Sequence, residues 1–206
     1  MLALAGPVTP ESEAKAPVEF EVLAAAGSST TTTTANQPAA TGQQQYTGEA
    51  QASWRLSSRS RGTVVALGGG APFDLVFKGE EHGSWMECEL GMCSPMSCTM
   101  AQGPRAVAGL SLAQSHGDVV ATLTIPIPVG CGVPSDEGLV LADLNRTGLV
   151  QRYHAGHFKA SPRHRVIVDF KTRSDDVPAT SGETVGVTHY TAGGYVELRR
   201  CASVCA

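Results

Sequence analysis

The sequence predicts an all-β protein, an antiparallel β-sandwich preceded by an extended N-terminal arm. Three observations carry that expectation. Short apolar runs alternate with polar residues at a period of two over most of the chain after residue 52. With 23 Gly and 12 Pro in 206 residues, the composition suits many turns and few long helices. No strand–helix–strand alternation appears, which disfavours a parallel sheet. Aromatic residues make up only 5% of the chain, so the core must come mostly from Val, Leu, Ile and Ala.

The arm is assigned to residues 1–51 and the globular domain to 52–206. The stretch "GSSTTTTTANQPAATGQQQYTGEAQ", 27–51, has little to bury. Such composition does not offset its own ordering entropy, so the segment is expected to be ordered only by neighbours. Inside the arm, "VEFEVL" places Val18, Phe20 and Val22 on one side and Glu19 and Glu21 on the other. That is a strand with one buried face. With no hairpin partner evident nearby, it is expected to add to another subunit's sheet, with Val18, Phe20 and Val22 at the interface.

The domain then reads as a series of strands. "SWRLS" (53–57) and "GTVVAL" (62–67) lead to a glycine turn at 68–70. "FDLVF" (73–77) and "WMECEL" (85–90) follow, divided by "KGEEHG", which reads as a polar turn. "DVVATLTIPI" (118–127) offers Val120, Leu123 and Ile125 to a core, and Pro126 and Pro128 end it. "GLVLADL" (138–144), "HRVIVDF" (164–170), "ETVGVTHY" (183–190) and "YVELRRC" (195–201) complete the series. The few helical candidates lie between residues 93 and 108.

Charge narrows the function classes. The net charge is −4, and the first 51 residues carry five glutamates against Lys15 alone. An acidic arm does not bind nucleic acid by counterion release. No apolar run approaches the length of a membrane span, and "MLALAG" is too short for a leader, so no membrane partner is expected. The six cysteines form no CxxC pair and are expected as free thiols.

No catalytic residues, cofactor or metal are expected. The triple glycine at 68–70 lacks the Lys-Ser/Thr ending of a phosphate loop. His154, His157 and His164 sit in "YHAGHFKASPRHR" without a carboxylate, and Gly156 and Pro162 oppose a ligand-bearing helix. No serine lies in a nucleophile elbow, although triads are built in space and a sequence can hide one. What the stretch does concentrate is positive charge. Arg152, Lys159, Arg163 and Arg165 are candidates for contacts to RNA or to a neighbouring subunit.

"GLVQRYHAGHFKASPRHRVIVDFKT" (148–172) pairs two apolar strands around a glycine turn and a basic loop, and "GGYVELRRC" (193–201) reads as a final strand. With an arm of about fifty residues before them, these segments resemble the jelly-roll coat proteins of plant picorna-like positive-strand RNA viruses, the comovirus, nepovirus and waikavirus relatives. The resemblance implies a viral jelly roll and a non-enzymatic capsid protein. It also implies assembly with copies of itself or sister subunits into an icosahedral shell around an RNA genome, found in virions and host cytoplasm. The alternative is a β-sandwich binding module for a carbohydrate or protein ligand. With Trp54 and Trp85 its only tryptophans, the chain is poorly equipped to stack on sugars.

Overall fold

The computed structural model describes residues 17–39, 42–89, 92–101, 106–125, 148–159, 161, 164–181, 184–202 and 205. Ten strands account for most of them: β1 Glu19–Ala39, β2 Gly42–Leu56, β3 Val64–Ala66, β4 Gly70–Glu89, β5 Met92–Ala101, β6 Ala106–Ser115, β7 Asp118–Thr124, β8 Gly148–His154, β9 Arg165–Ser181 and β10 Thr184–Arg200. All pairings are antiparallel. The fold is all-β, as the periodicity indicates.

The order across the sheet is β8-β7-β6-β4-β2-β1-β10-β9, with β3 on β1 and β5 on β4. Neighbours are thus mostly consecutive in the chain, an up-and-down order. The Greek-key crossing that defines a jelly roll does not occur among the described strands. The sheet curls until its two end strands face one another. There the Tyr153 hydroxyl accepts from the Asp169 N–H (2.6 Å) and donates to the Asp169 carbonyl (2.8 Å). His157 Nε2–H donates to the Ile167 carbonyl at 2.9 Å. Side chains of β8 and the 3₁₀ turn Ala155–Phe158 therefore close a seam that has no backbone ladder.

Two halves share the long strands. The body is filled by Phe20, Val22, Leu75, Leu110, Leu123, Val168 and Leu198, all essentially inaccessible. Beyond the body, hairpins β1–β2, β4–β5 and β9–β10 run on as a six-stranded extension in the order β9-β10-β1-β2-β4-β5. Register shifts after Val22 in β1 and before Gly194 in β10 mark the boundary. Bulges of this kind bend and twist a sheet locally. At the level of the β10 shift the Trp54 indole lies across the strands over Gly27 and Gly194. A Cβ on either glycine would have two of its ring atoms within 2.7 Å, so neither position has room for one.

Several sequence expectations are corrected here. Of the residues assigned to an arm, 19–39 and 42–51 pair within the chain's own sheet, β1 lying between β10 and β2. Phe20 and Val22 are buried in this chain's core and Val18 packs against it, so they are not available as interface side chains. The threonine run holds because it alternates: Ser29, Thr31 and Thr33 are buried inward while Thr30, Thr32 and Thr34 face out. "KGEEHG" is no turn but the middle of β4, paired with β2 throughout. Gly79 serves close approach, since an added Cβ there would meet the β2 backbone. The described parts of "ETVGVTHY" and "YVELRRC" fall in one strand, β10, and residues 93–101 and 106–108 belong to β5 and β6. In β7 the inward set is Val119, Ala121 and Leu123, so Val120 takes the opposite face from the one expected. The glycine turn holds, with Gly68 at φ +92°.

Cys201 and Cys205 are disulfide-bonded, contrary to the free thiols expected, because the chain turns back after β10 and brings their Cα atoms to 5.3 Å. The Cys201 and Cys205 amides both donate to Glu19, to its carbonyl (3.0 Å) and its carboxylate (3.2 Å). The side chains of Cys88, Cys93, Cys98 and Cys131 lie outside the described set, as does the segment "GLVLADL".

Candidate functional site on the outer face of the extension

In an antiparallel sheet, residues in register on successive strands form rows across it. The hairpin closing at Ser181 and Thr184 sets His189 opposite Asp176 and Thr191 opposite Ser174. Continuing through β1, β2, β4 and β5, one row reads Asp176, His189, Thr32, Glu49, His82, Thr99. All six side chains are exposed, so this face presents imidazoles, carboxylates and hydroxyls side by side.

At the β9–β10 end the row builds a hydrogen-bonded relay. His189 Nδ1 is 2.6 Å from Asp176 Oδ1, and His189 Nε2 is 2.9 Å from Ser174 Oγ. Ser174 Oγ is in turn 3.2 Å from Thr191 Oγ1. Ser174 and Asp176, two apart on one strand, share a face, and His189 reaches both from the next strand. Since an ionised carboxylate only accepts, Nδ1 carries the proton and Nε2 is left to accept from Ser174. The relay thus holds a serine, a base and an orienting acid in hydrogen-bond contact.

Toward the centre of the extension, a groove of about 690 Å³, lined by charged, hydroxyl and small residues, lies over β1, β2 and β4. Its floor is the cross-strand row Ser29, Ala52, Gly79. Lys78 stands on one side, with Glu49, Glu80 and His82 on the other. His82 is held by Thr99 (3.2 Å) and lies 3.5 Å from Glu80. Among the described residues no group of three His, Cys, Asp or Glu is arranged to hold a metal ion, and no helix is long and apolar enough to cross a membrane.

Of the basic residues singled out from the sequence, Arg152, Lys159 and Arg165 are on the body, away from this face. Arg152 pairs with Asp118 at 3.4 Å and Arg165 with Glu197 at 2.7 Å, so two of the four cations already have acidic partners. Lys159 is exposed after the 3₁₀ turn, and Arg163 lies outside the described residues. Sequence reasoning missed Ser174, Asp176, His189 and the groove residues. The only trace available was an S-x-D pair before a hairpin, whose register decides which histidine it meets. In comparison with known proteins, no family model, no curated protein and no solved structure matches the chain.

Proposed function

We propose that the protein is a structural subunit that works by packing against further copies of itself or of related β proteins. One observation carries this reading: the far parts of the extension's hairpins expose large apolar side chains. Met92 on β5 is 74% accessible, and Val185 and Val187 on β10 are 64% and 50% accessible. A lone chain gains nothing from such residues at the ends of hairpins that run past its core, whereas a packed assembly removes them from water.

The manner of contact differs from strand addition. Pro95 lies on β5 and Pro178 on β9, the two strands that bound the extension. Proline cannot donate to a ladder, so it blunts an exposed edge. The contacts proposed are therefore between side-chain faces. The finer form of the reading is a capsid subunit in an icosahedral shell around RNA, supported by the sequence resemblance and by the exposed Lys159.

Sedimentation velocity and electron microscopy test the proposal. Oligomers or closed particles are expected, and Met92→Ser with Val185→Ser and Val187→Ser should reduce them to monomers with unchanged circular dichroism. A wild-type chain that stays monomeric at every concentration refutes it. The groove favours a second reading, a polar-ligand binding module. Ligand saturation of a monomer, abolished by Glu49→Gln and Glu80→Gln, would support that instead.

A further inference from the structure

We propose that Ser174 is an activated nucleophile, and that the extension carries an acyl-transfer site that is open in the unassembled chain. The juxtaposition is Ser174 Oγ to His189 Nε2 at 2.9 Å and His189 Nδ1 to Asp176 Oδ1 at 2.6 Å. This is the order of contacts that nucleophilic serine catalysis requires: nucleophile to base, base to orienting carboxylate. The carboxylate fixes the imidazole tautomer, so the free lone pair of Nε2 points to the hydroxyl it must deprotonate. None of the three residues belongs to a sequence motif for such a site. The hairpin register alone brings them together.

The chemistry balances without any other reactant than an ester and water. Ser174 Oγ attacks the acyl carbon while its proton passes to His189 Nε2, and the imidazolium keeps its Nδ1–H on Asp176. Collapse of the tetrahedral intermediate breaks the bond to the leaving alcohol, which takes the proton from Nε2. Water, deprotonated by Nε2, then attacks the acyl-serine, frees the carboxylic acid and returns the proton to Ser174 Oγ. The Thr191 hydroxyl, 3.2 Å from Ser174 Oγ, is the side chain placed to donate to the oxyanion. Because the relay stands on an exposed sheet face, it suits small or extended acyl groups with good leaving groups. It is not built to enclose a substrate.

The molecule contains its own control. Ser161 Oγ is 2.6 Å from His164 Nδ1, a serine–histidine contact with no carboxylate bonded to the ring among the described residues. Ser174 and Ser161 therefore differ in the orienting acid.

The test is labelling of the full-length protein by a fluorophosphonate, with the modified residue located by mass spectrometry, and hydrolysis of p-nitrophenyl acetate measured alongside. Labelling is expected at Ser174 and not at Ser161. His189→Ala should slow it about 10²-fold, the order contributed by a positioned general base. Asp176→Asn should slow it as well, while circular dichroism and melting stay close to wild type, as these are exposed side chains. Hydrolysis should fall in parallel in both variants and vanish in Ser174→Ala. Labelling at Ser174 no faster than at Ser161, or unchanged by His189→Ala, overturns the proposal and leaves the relay as a cross-strand hydrogen-bond chain that steadies the hairpin.

Discussion

The body and the extension share five strands, yet they are held together differently. Along β1, the inward residues change from Phe20 and Val22 to Ser29, Thr31 and Thr33. Along β10 they change from Leu198 and Val196 to Tyr190 and Thr188. The backbone ladder continues across the boundary, so hydrogen bonding does not distinguish the halves. Side-chain burial does. A buried Leu or Phe contributes roughly 1.5–3 kcal/mol, and an alanine or a hydroxyl far less. The body therefore anchors the extension through the five strands that run from one half into the other, while β5 lies wholly in the extension. A surface carried in this way can hold polar chemistry without supplying the stability of the fold.

The largest effect that would break this contrast is in the body. Leu123→Ala should cost about 3 kcal/mol, a buried leucine truncated in a packed core. Ala50→Gly, equally buried but in the extension, should cost about 1 kcal/mol, chiefly through the entropy of glycine in a strand. Urea unfolding followed by circular dichroism gives both values. Equal costs would show that the extension contributes as much burial as the body.

A smaller effect sharpens the same contrast inside the extension. Thr33 Oγ1 and Thr188 Oγ1 are hydrogen-bonded at 2.8 Å between buried side chains on β1 and β10. Thr188→Val should cost about 1–2 kcal/mol, because it strands the Thr33 hydroxyl away from water. Adding Thr33→Val should return most of that loss, since two apolar groups of the same shape leave nothing unpaired. A double-mutant cycle reads the coupling directly. Simple additivity of the two costs would mean that the interior of the extension is wet.

The contrast also explains what the sequence made legible. The body's strands announce themselves, because "FDLVF" and "HRVIVDF" put large apolar residues at every second position. The extension does not. Apart from Tyr46 and Tyr190, its inward positions are mostly small or hydroxylic, such as Ser29, Thr31, Thr33, Ala50 and Thr188, so the alternation that buries Thr31 and exposes Thr32 is invisible to a hydrophobicity pattern. "KGEEHG" looked like a turn for the same reason, since a glycine such as Gly79 marks close strand approach as readily as a bend. The candidate site was less legible still. Ser174 and Asp176 meet His189 only through hairpin register, and register follows from where the turn closes. The basic stretch was conspicuous in sequence, but Arg152 and Arg165 found acids on neighbouring strands. Short-range pattern specifies which face a residue takes; it does not specify whom it meets.

The smallest effect concerns the seam, the part of the body that is most like the extension. There Tyr153 takes the place of a partner strand, bonding both the N–H and the carbonyl of Asp169. Tyr153→Phe should cost about 1 kcal/mol at neutral pH, since the freed backbone groups on this edge turn to water. Burial pushes the Tyr153 phenol above its ordinary value of 10.0; the Asp169 backbone bond opposes this, and the Asp169 charge adds to it. The folded state therefore favours the protonated phenol. Below the ordinary tyrosine value both states keep the proton, and this group adds no pH dependence. Above it the unfolded chain ionises first and binds fewer protons, so stability falls as pH rises toward the folded value. The Phe variant lacks that increment of loss. The gap between wild type and Tyr153→Phe, measured by urea unfolding from pH 7 to 11, should hold steady up to about pH 10 and then narrow. A constant gap throughout would mean that the hydroxyl is as solvated in the fold as in the unfolded chain, and that the seam is held by His157 and the Phe20–Phe158–Tyr153 ring contacts instead.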